Sequence, residues 1–299
     1  MGTQNILIIG AGELGQAIKK VLAEKRLRPA LWDRTPGKVP HQKPLSVAAP
    51  HAAIILLCIP SWALREVASG IKPYLARGAT LVTFAKGLEQ TSRETAAELL
   101  ARLLPQQRIA FIGGPMLAEE IEEKKGGMGI LASSSARARR EVSELFRGTS
   151  LRLECMTDPR SVALAGVLKN IYAIGLGIAT ALQWGDNRKG WFASAAFREI
   201  AGVLRDLRAA PDAAYTAAGL GDFLATGYSG YSSNHHVGLE LTTKGRAERR
   251  SEGTYSLPTV LALLGKKKRR YAILTALEAV ALRRADAAKA FEKLFSETC

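Results

Sequence analysis

One lysine lies inside an almost wholly apolar stretch of the sequence. Residues 163–187 read ALAGVLKNIYAIGLGIATALQWGDN, and Lys169 is the single charged side chain before the polar end of that stretch. Burying an ammonium group costs free energy unless the group is paired or used, and desolvation lowers a lysine pKa toward the range of proton exchange near neutrality. The structural alternative is a lysine whose stem covers apolar surface while its ammonium reaches water. Because the other motifs below favour chemistry, we predict that Lys169 transfers protons.

A glycine-rich loop near the amino terminus has the spacing of a dinucleotide-binding turn. Gly10, Gly12 and Gly15 follow the strand-like run NILII and precede a helical pattern. Such glycines allow a tight turn, close approach of a pyrophosphate to backbone amides, and close packing of helix on strand. Glu13 and Leu14 complete the loop; Glu13 is an unexpected anion beside a pyrophosphate, although it suits the positive end of a helix dipole.

Two adjacent residues after the second strand leave the cofactor open between NAD and NADP. Asp33 would accept hydrogen bonds from the adenosine ribose diol of NAD, whereas Arg34 would pair with the 2′-phosphate of NADP.

The elements that must position these residues differ between the two halves of the chain. Short apolar runs such as AAIILLCIP and RIAFIGG alternate with amphipathic helical runs up to Cys155, a pattern typical of βαβ units in a parallel sheet with helices on both faces. From Ser161 onward helical patterns dominate. Asp158 can cap the helix that Pro159 begins. We therefore predict an α/β fold: a Rossmann-type doubly wound sheet over residues 1–157, followed by an all-helical domain over residues 158–299.

Further candidate residues follow the later strands of the predicted sheet. The runs CIPSWALREV, FAKGLE and GGPMLAEE are strand-to-helix turns, and ligands bind at the carboxyl ends of strands in such sheets. Lys86 in the second turn fits both a functional cation and an ordinary surface lysine.

Composition predicts a soluble, cytoplasmic protein. The 299 residues are 47% hydrophobic, and the longest apolar runs are too short or too broken by glycine to span a bilayer. The net charge of +15 would attract anions of any kind, but the cluster KKKRR at 266–270 lacks interleaved aromatics and predicts a solvated loop, not a nucleic-acid site. Cys58, Cys155 and Cys299 lie too far apart for a disulfide framework or a zinc spacing, and the first two are expected to be buried.

Taken in order, these motifs resemble those of the NAD(P)-dependent glycerol-3-phosphate dehydrogenases over nearly the whole chain. The shared motifs are the glycine loop, Pro-Ser at 60–61, Lys-Gly-Leu-Glu at 86–89, Gly-Pro-x-x-Ala-x-Glu at 114–120, Leu-Lys-Asn at 168–170, Gly-Asp-Asn-x-Lys at 185–189, Gly-Leu-Gly-Asp at 219–222 and Glu-Gly at 252–253. Several motifs in the correct order are far more specific than any one of them.

The resemblance implies hydride transfer between NAD(P)H and dihydroxyacetone phosphate, supplying glycerol 3-phosphate for phospholipid synthesis, at a cleft between the Rossmann domain and a helical substrate-binding domain. It implies that Lys169 is the general acid/base, that Asp222 orients its ammonium, and that Lys86 is a second cation that keeps its pKa low. The implied substrate-binding residues are Asn170, Thr226, Gly114, Ser232 and Asn234. The implied cofactor-binding residues are Gly10, Gly12, Glu13, Leu14, Gly15, Asp33, Arg34, Pro60, Lys86, Ala118 and Glu252.

The chain departs from the family where the substrate phosphate would bind. Ser233 and Ala195 stand in place of family arginines, and a neutral hydroxyl does not replace a bidentate guanidinium. Arg198 lies on nearly the same helix face as Ala195 and is a candidate to compensate. His235 and His236 are further candidates to contact the phosphate. The alternative is that both are ordinary loop histidines.

Two other readings stay open. One is a dehydrogenase of the same fold for a different hydroxy or keto substrate, which the missing arginines permit. The other is a non-catalytic dinucleotide sensor with a basic partner-binding face. The segment between Arg34 and Ala53 is also short for the family.

We expect a small phosphorylated substrate, no metal, no nucleic acid and no integral membrane segment. We also expect a homodimer, because dimers are the commonest oligomers of soluble enzymes.

Overall fold

The computed structural model describes residues 5–296. Contacts divide the chain into two compact units: one comprises the chain up to Lys86 together with Glu94–Ala163, the other Gly87–Arg93 together with the chain from Leu164 onward. The short segment Gly87–Arg93 joins the second unit through hydrogen bonds from the Leu88 amide to Ser256 Oγ (3.1 Å) and from Gln90 Nε2 to the Tyr255 carbonyl (3.2 Å). The boundary after residue 157 remains our proposal for where the folding domains meet.

The first unit is built on a sheet of seven strands among the described residues. The strands are β1 (Ile6–Ile9), β2 (Ala30–Trp32), β3 (Ile54–Leu57), β4 (Thr80–Thr83), β5 (Arg108–Gly113), β6 (Gly127–Ala132) and β7 (Leu151–Met156). Their order is β2-β1-β3-β4-β5-β6-β7, and all neighbours are parallel except β5 and β6. The predicted α/β sheet is confirmed, with one antiparallel pair that the sequence pattern did not reveal.

Helices cover both faces of this sheet. They are α1 (Glu13–Ala23), α2 (Leu45–Ala48), α3 (Ser61–Ile71), α4 (Ala96–Leu103), α5 (Ala118–Glu122) and α6 (Ala136–Phe146). Successive residues of β1 enter different cores: Ile6 and Ile8 pack with the buried side of α1, whereas Leu7 and Ile9 pack with apolar residues of α3 and α4. Because side chains alternate across a strand, a run that is apolar throughout is buried on both faces.

The antiparallel pair follows from the connection that joins its strands. Between β5 and β6 the chain forms only the five-residue helix α5. A parallel neighbour requires a crossover of about a dozen residues or more that runs back along the sheet. The thirteen connecting residues just reach that number, but α5 spans only about 7.5 Å, less than the length of the six-residue strand β5, so β6 itself runs back beside β5.

The second unit is helical, as predicted. Its helices are α7 (Pro159–Ala181), α8 (Asp186–Asp206), α9 (Asp222–Tyr228), α10 (Ser233–Lys244), α11 (Glu252–Leu264), α12 (Ala272–Arg283) and α13 (Ala287–Ser296), with α7 beginning in the first unit. Asp158 accepts hydrogen bonds from the amides of Arg160 and Ser161, 3.0 Å each, and so caps α7.

Helix α7 corrects one expectation about the apolar run. Among the described residues, α7 is a helix long and apolar enough to cross a membrane, yet its apolar window is completely buried in the protein. The glycines do not break it but permit close packing. A Cβ at Gly175 would lie 2.3 Å from the Phe192 ring, and one at Gly177 would lie 2.1 Å from the His235 carbonyl. These glycines therefore let α8 and α10 approach the central helix.

Two surface expectations also change. The cluster KKKRR forms the 3₁₀ turn Gly265–Arg270, and part of its charge is paired, because Lys267 and Arg270 lie 3.2 and 3.5 Å from Asp206. Cys155 is exposed, which contradicts the buried thiol expected from its apolar run, because β7 is the edge strand of the sheet. Cys58 is half-buried, and Cys299 lies outside the described residues.

Candidate active site

The second unit buries Lys169 against a carboxylate and a hydroxyl. Lys169 Nζ lies 3.0 Å from Asp222 Oδ1 and donates to Thr226 Oγ1 at 2.7 Å, and Thr226 Oγ1 donates to Asp222 Oδ1 at 3.1 Å. The side chains of Lys169 and Asp222 are each 4% exposed. A lysine that extends its ammonium to water is therefore excluded. We call this group the lysine triad.

Local structure explains how the triad forms. Asp222 and Thr226 lie four residues apart on α9, so they share one helix face that meets Lys169 on α7. A π-helical turn, Ala217–Gly221, leads into α9. Within it, a Cβ at Gly219 would lie 2.1 Å from the Ala214 carbonyl, which requires a glycine. Single π-turns occur frequently at functional sites, and here the turn aims Asp222 inward.

A chain of amide hydrogen bonds adjoins the triad. Asn234 Nδ2 donates to Asn170 Oδ1 at 2.9 Å, and Asn234 Oδ1 accepts from the Gly253 amide at 2.9 Å. A Cβ at Gly253 would lie 2.6 Å from the Asn170 carbonyl, so α11 can approach α7 only with glycine at this position. These hydrogen bonds fix the orientation of the Asn170 and Asn234 side-chain amides. Glu252, which precedes Gly253, is the first residue of α11.

The start of α10 shows what replaces the family arginine. Ser232 caps α10 by accepting a hydrogen bond from the His235 amide at 3.2 Å. Ser233, the first helical residue, is exposed and lies next to Asn234. A neutral hydroxyl therefore stands one residue from the amide chain, where the resemblance implied a guanidinium.

The other candidate cations do not reach the lysine triad. Arg198 and Ala195 line a separate cavity of about 460 Å³ with Arg270, Tyr271 and Ile273, and no triad residue lines it. Compensation by Arg198 for the missing arginine stays a prediction, and the structure places Arg198 beside Ala195 in that cavity.

The two histidines are helical residues rather than loop residues. His235 Nε2 lies 3.2 Å from Thr180 Oγ1, and Thr180 comes eleven residues after Lys169 on α7, which places it about 16 Å further along the helix. Burial lowers the pKa of His235, with smaller contributions from His236 and Lys189. His236 Nε2 lies 2.7 Å from the Gly230 carbonyl. His235 is therefore a packing residue of the α7–α10 contact.

The glycine loop in the first unit combines two tightly packed glycines with one that faces open space. Gly10 has φ +104°, and a Cβ there would lie 2.3 Å from the Cys58 carbonyl, whereas a Cβ at Gly15 would lie 1.9 Å from the Gly10 carbonyl. Gly12 has nothing within 4 Å of its Cβ position and precedes α1 without a side-chain cap. Glu13 is exposed at the first turn of α1, and Leu14 packs against the core. The first amides of α1 thus face open space beside Gly12.

Asp33 is already engaged by the protein. Its Oδ2 accepts from the Ala11 amide at 2.8 Å and lies 3.2 Å from Lys38 Nζ, and its Oδ1 accepts from the Thr35 amide at 2.9 Å. Burial alone would raise the pKa of Asp33, but the Thr35 and Ala11 amides and the Lys38 ammonium lower that pKa to about 2. Arg34 is exposed and lies 3.8 Å from Glu66. Asp33 therefore ties the glycine loop to the end of β2.

Sequence reasoning missed two residues beside Asp33. Lys38 makes the ion pair with Asp33 just described. The side chain of Gln42 makes two hydrogen bonds with the Asp33 backbone: Gln42 Oε1 accepts from the Asp33 amide at 2.7 Å, and Gln42 Nε2 donates to the Asp33 carbonyl at 2.9 Å. The one available signal was the turn sequence Pro36-Gly37 before Lys38, which predicts a chain reversal that returns the lysine toward Asp33.

The lowered pKa of Asp33 predicts a pH-dependent stability. Its carboxylate favours the folded state, so this stabilisation is complete above about pH 4 and is lost as the pH falls through the folded pKa near 2. We expect the wild type to lose about 2 kcal/mol of unfolding free energy over that range and Asp33→Asn not to lose it. Urea unfolding at several pH values measures this. Asp212→Asn, at an exposed carboxyl, is the control, and equal pH dependence in the two variants would refute the role of Asp33.

The remaining candidates of the first unit lie at the carboxyl edge of the sheet. Lys86 follows β4 and donates to the Gly114 carbonyl at 3.0 Å. Gly114 has φ +143°, and a Cβ there would lie 2.5 Å from the Met128 carbonyl. Pro60 precedes α3, and Ala118 is the first residue of α5. The structure thus gathers these residues at the edge where ligands bind in α/β sheets.

A sheet with a dinucleotide-type loop, followed by a helical unit that buries a paired lysine, defines a class of protein: the NAD(P)-dependent oxidoreductases. Models of the NAD-dependent glycerol-3-phosphate dehydrogenase N-terminus and C-terminus match residues 35–138 and 158–292. The glycerol-3-phosphate dehydrogenase [NAD(P)+] of Synechocystis is 32% identical over 260 residues, which are 87% of this chain and 78% of the relative. That of Pseudomonas syringae pv. syringae is 32% identical, covering 80% of this chain and 76% of the relative. The chain belongs to the NAD-dependent glycerol-3-phosphate dehydrogenase family.

Solved structures agree with this assignment. The glycerol-3-phosphate dehydrogenase of Coxiella burnetii matches with a TM-score of 0.90 at 25% identity, covering 99% of both chains. That of Plasmodium falciparum matches with a TM-score of 0.87 at 16% identity, covering 100% of this chain and 97% of the other, and shows the shared fold. The protein is therefore an oxidoreductase that acts on a CH–OH group with NAD or NADP.

Proposed function

We propose that the protein reduces dihydroxyacetone phosphate to glycerol 3-phosphate, with Lys169 as the general acid/base. The observation that carries this proposal is the buried lysine triad. NAD(P)H, when bound, supplies the hydride that reaches the carbonyl carbon of the substrate. Lys169 Nζ then gives a proton to the carbonyl oxygen and takes it back in the reverse direction. Asp222 and Thr226 hold Nζ at 3.0 and 2.7 Å, so the ammonium keeps one orientation during transfer.

The first unit has residues that suit the cofactor. The open space at Gly12, at the start of α1, is a cradle that any side chain would fill, and the uncapped amides there are donors for a pyrophosphate. We assign this role to the loop from Gly10 to Gly15, with Asp33 and Arg34 beside the adenosine ribose. Further cofactor contacts are proposed for Pro60, Lys86, Ala118 and Glu252.

Substrate binding is assigned to polar groups near Lys169. The amide chain of Asn170 and Asn234 offers oriented groups to a substrate hydroxyl, and we propose further contacts from Ser232 and Gly114. Lys86 is proposed as a second cation that favours the neutral form of Lys169 and so promotes proton exchange. A dinucleotide sensor would need neither the buried lysine nor its carboxylate, so the triad favours an enzyme.

A second candidate function rests on the missing arginines. Ser233 and Ala195 carry no charge, and Arg198 lines a different cavity from the lysine triad. A dianionic phosphate gains little from neutral hydroxyls, whereas a hydroxy or keto compound without phosphate needs no guanidinium. The same lysine triad would then serve a less charged substrate.

The deciding experiment follows the loss of nicotinamide absorbance when purified protein oxidises NADH or NADPH. Dihydroxyacetone phosphate and unphosphorylated dihydroxyacetone are compared as substrates. We expect turnover with the phosphate ester alone, and the faster cofactor assigns the preference between NAD and NADP. Turnover with the unphosphorylated ketone would support the second candidate. Cofactor binding without turnover on either ketone would refute the proposed reaction.

Restoring the missing arginine should strengthen phosphate binding. Ser233 is exposed at the start of α10, one residue from Asn234, so Ser233→Arg has room to present a guanidinium there. We expect the KM for dihydroxyacetone phosphate to fall about tenfold, as one charge-assisted hydrogen bond permits. Thr243→Arg is the matched control, because Thr243 is exposed on the same helix but lies ten residues further along it, and it should leave KM unchanged. Equal effects of the two variants would contradict a phosphate subsite at residue 233.

We further propose that the protein works in the cytoplasm as a homodimer and supplies glycerol 3-phosphate for phospholipid synthesis. Closed dimers are the commonest oligomers of soluble enzymes. Sedimentation of the purified protein would measure the oligomeric state directly.

A further inference from the structure

A cavity of about 530 Å³ lies in the first unit, at the amino-terminal ends of β1 and β2. Asn5 and Ile6 at the start of β1, Ala30 at the start of β2, and Ala52 before β3 line it. The four residues of β1 separate this edge from Gly10 by about 13 Å. The cavity is therefore distinct from the glycine loop at the carboxyl edge of the same sheet.

Four basic residues lie in the lining of this cavity. Arg26, Arg28, Lys43 and His51 line it, and no carboxylate does. All four are exposed, and within residues 5–296 no hydrogen bond or ion pair engages their side chains. By contrast, Lys267, Lys268 and Arg270 in the turn Gly265–Arg270 are each paired with a carboxylate. Like charges that line one concave surface repel each other and focus a positive potential, and a bound anion removes that repulsion.

Apart from Asn5, the remaining lining is apolar. Leu27, Val47 and Ala48 contribute to it, and Val47 is 47% exposed. Pockets for small ligands have volumes of about 300–1,000 Å³ and combine apolar walls with a few convergent polar groups. A cavity of this size admits a small molecule, whereas a membrane surface or a nucleic-acid duplex would contact only its rim.

One wall of the cavity comes from a single stretch of the chain. Lys43, Val47, Ala48 and His51 all belong to the segment between Arg34 and Ala53, which connects β2 to β3. The recognition chemistry of the cavity is independent of the lysine triad and of the glycine loop.

We propose that this cavity is a binding site for a small organic anion with at least two phosphate charges, of the nucleoside diphosphate class. The guanidinium groups of Arg26 and Arg28 and the Lys43 ammonium bind the phosphates, and His51 donates a hydrogen bond. The apolar wall of Leu27 and Val47 contacts the organic part. This site does not depend on the proposed reaction.

Calorimetric titration with pyrophosphate, in the presence of saturating NADH, tests the site without any activity measurement. We expect saturable binding that Arg28→Gln/Lys43→Gln weakens at least about tenfold. The control Lys19→Gln changes an exposed cation of the same unit and should alter the affinity less than about twofold. Because the readout is binding, an inactive enzyme would leave the test intact.

Three results would overturn the proposal. The first is no pyrophosphate binding by the wild type. The second is an affinity that is equal in the wild type and the double variant, which would place the anion at a site other than this cavity. The third is binding to vesicles of anionic lipid without binding of pyrophosphate, which would indicate a membrane surface. A thermal melting curve of each variant checks that folding is unchanged, and ADP in place of pyrophosphate should bind more tightly if the apolar wall contacts the organic part.

Discussion

Lys169→Ala is expected to abolish turnover, lowering kcat/KM by about 10²–10⁴-fold, the range that a positioned general acid/base contributes. The affinity for NADH should stay nearly constant, because Lys169 acts on the substrate carbonyl and not on the adenosine half of the cofactor. Steady-state kinetics and a fluorescence titration with NADH measure the two quantities separately.

The same substitution is expected to destabilise the protein. Removing the ammonium leaves the Asp222 carboxylate, 4% exposed, without its cation, and breaking a buried pair costs about 3–5 kcal/mol. Lost activity in Lys169→Ala would therefore be ambiguous by itself. Lys169→Met/Asp222→Asn removes both charges with similar volumes, so it should recover most of the stability and none of the activity.

This double variant makes the prediction decisive. A folded, inactive double variant would support the catalytic role of Lys169. A folded double variant with wild-type turnover would refute that role and leave Lys169 as a packing residue. Chemical denaturation of the wild type and both variants provides the stability scale.

The second large effect is expected at Gly12. Because the Cβ position of Gly12 lies in open space, Gly12→Ala should change the free energy of unfolding by less than about 1 kcal/mol. The added methyl group would occupy the space in which a pyrophosphate approaches the backbone. We expect the NADH affinity to fall at least about tenfold, equivalent to about 1.4 kcal/mol. Calorimetric titration and thermal melting measure the two effects.

Gly15→Ala is the contrasting variant. Its Cβ would lie 1.9 Å from the Gly10 carbonyl, so folding and binding should fail together. Of these two variants, only Gly12→Ala is expected to lower the NADH affinity while the stability stays nearly unchanged. Unchanged NADH affinity in Gly12→Ala would mean that no pyrophosphate lies against this loop, and it would reject our cofactor assignment.

Local patterns were sufficient to predict most of the architecture. The apolar runs that became β1 and β3 are buried on both faces, and the helical periodicity after Ser161 became a helical unit. Strand direction was not predictable in the same way. The pattern of β6 resembles that of a parallel strand, and only the short α5 connection makes it antiparallel.

Context also overrode two local signals. Glycines in α7 suggested an interrupted run, but Gly175 and Gly177 give space for Phe192 and for the backbone of α10. Cys155 lies in an apolar run, yet the edge position of β7 exposes it. A short stretch of sequence does not show which residue will pack against a glycine, nor which strand will lie at the edge of a sheet.

The sequence by itself determined the glycine loop, the alternation that builds the sheet, and an unusual lysine in an apolar helix. These features are local, because backbone turns, periodicity and burial cost depend on neighbouring residues. The tertiary structure decided which polar groups meet. Lys169 pairs with Asp222 and Thr226, more than fifty residues away, and Asp33 turns back to hold the Ala11 amide. Such pairs depend on how helices pack and where strands end, so only the folded chain specifies them.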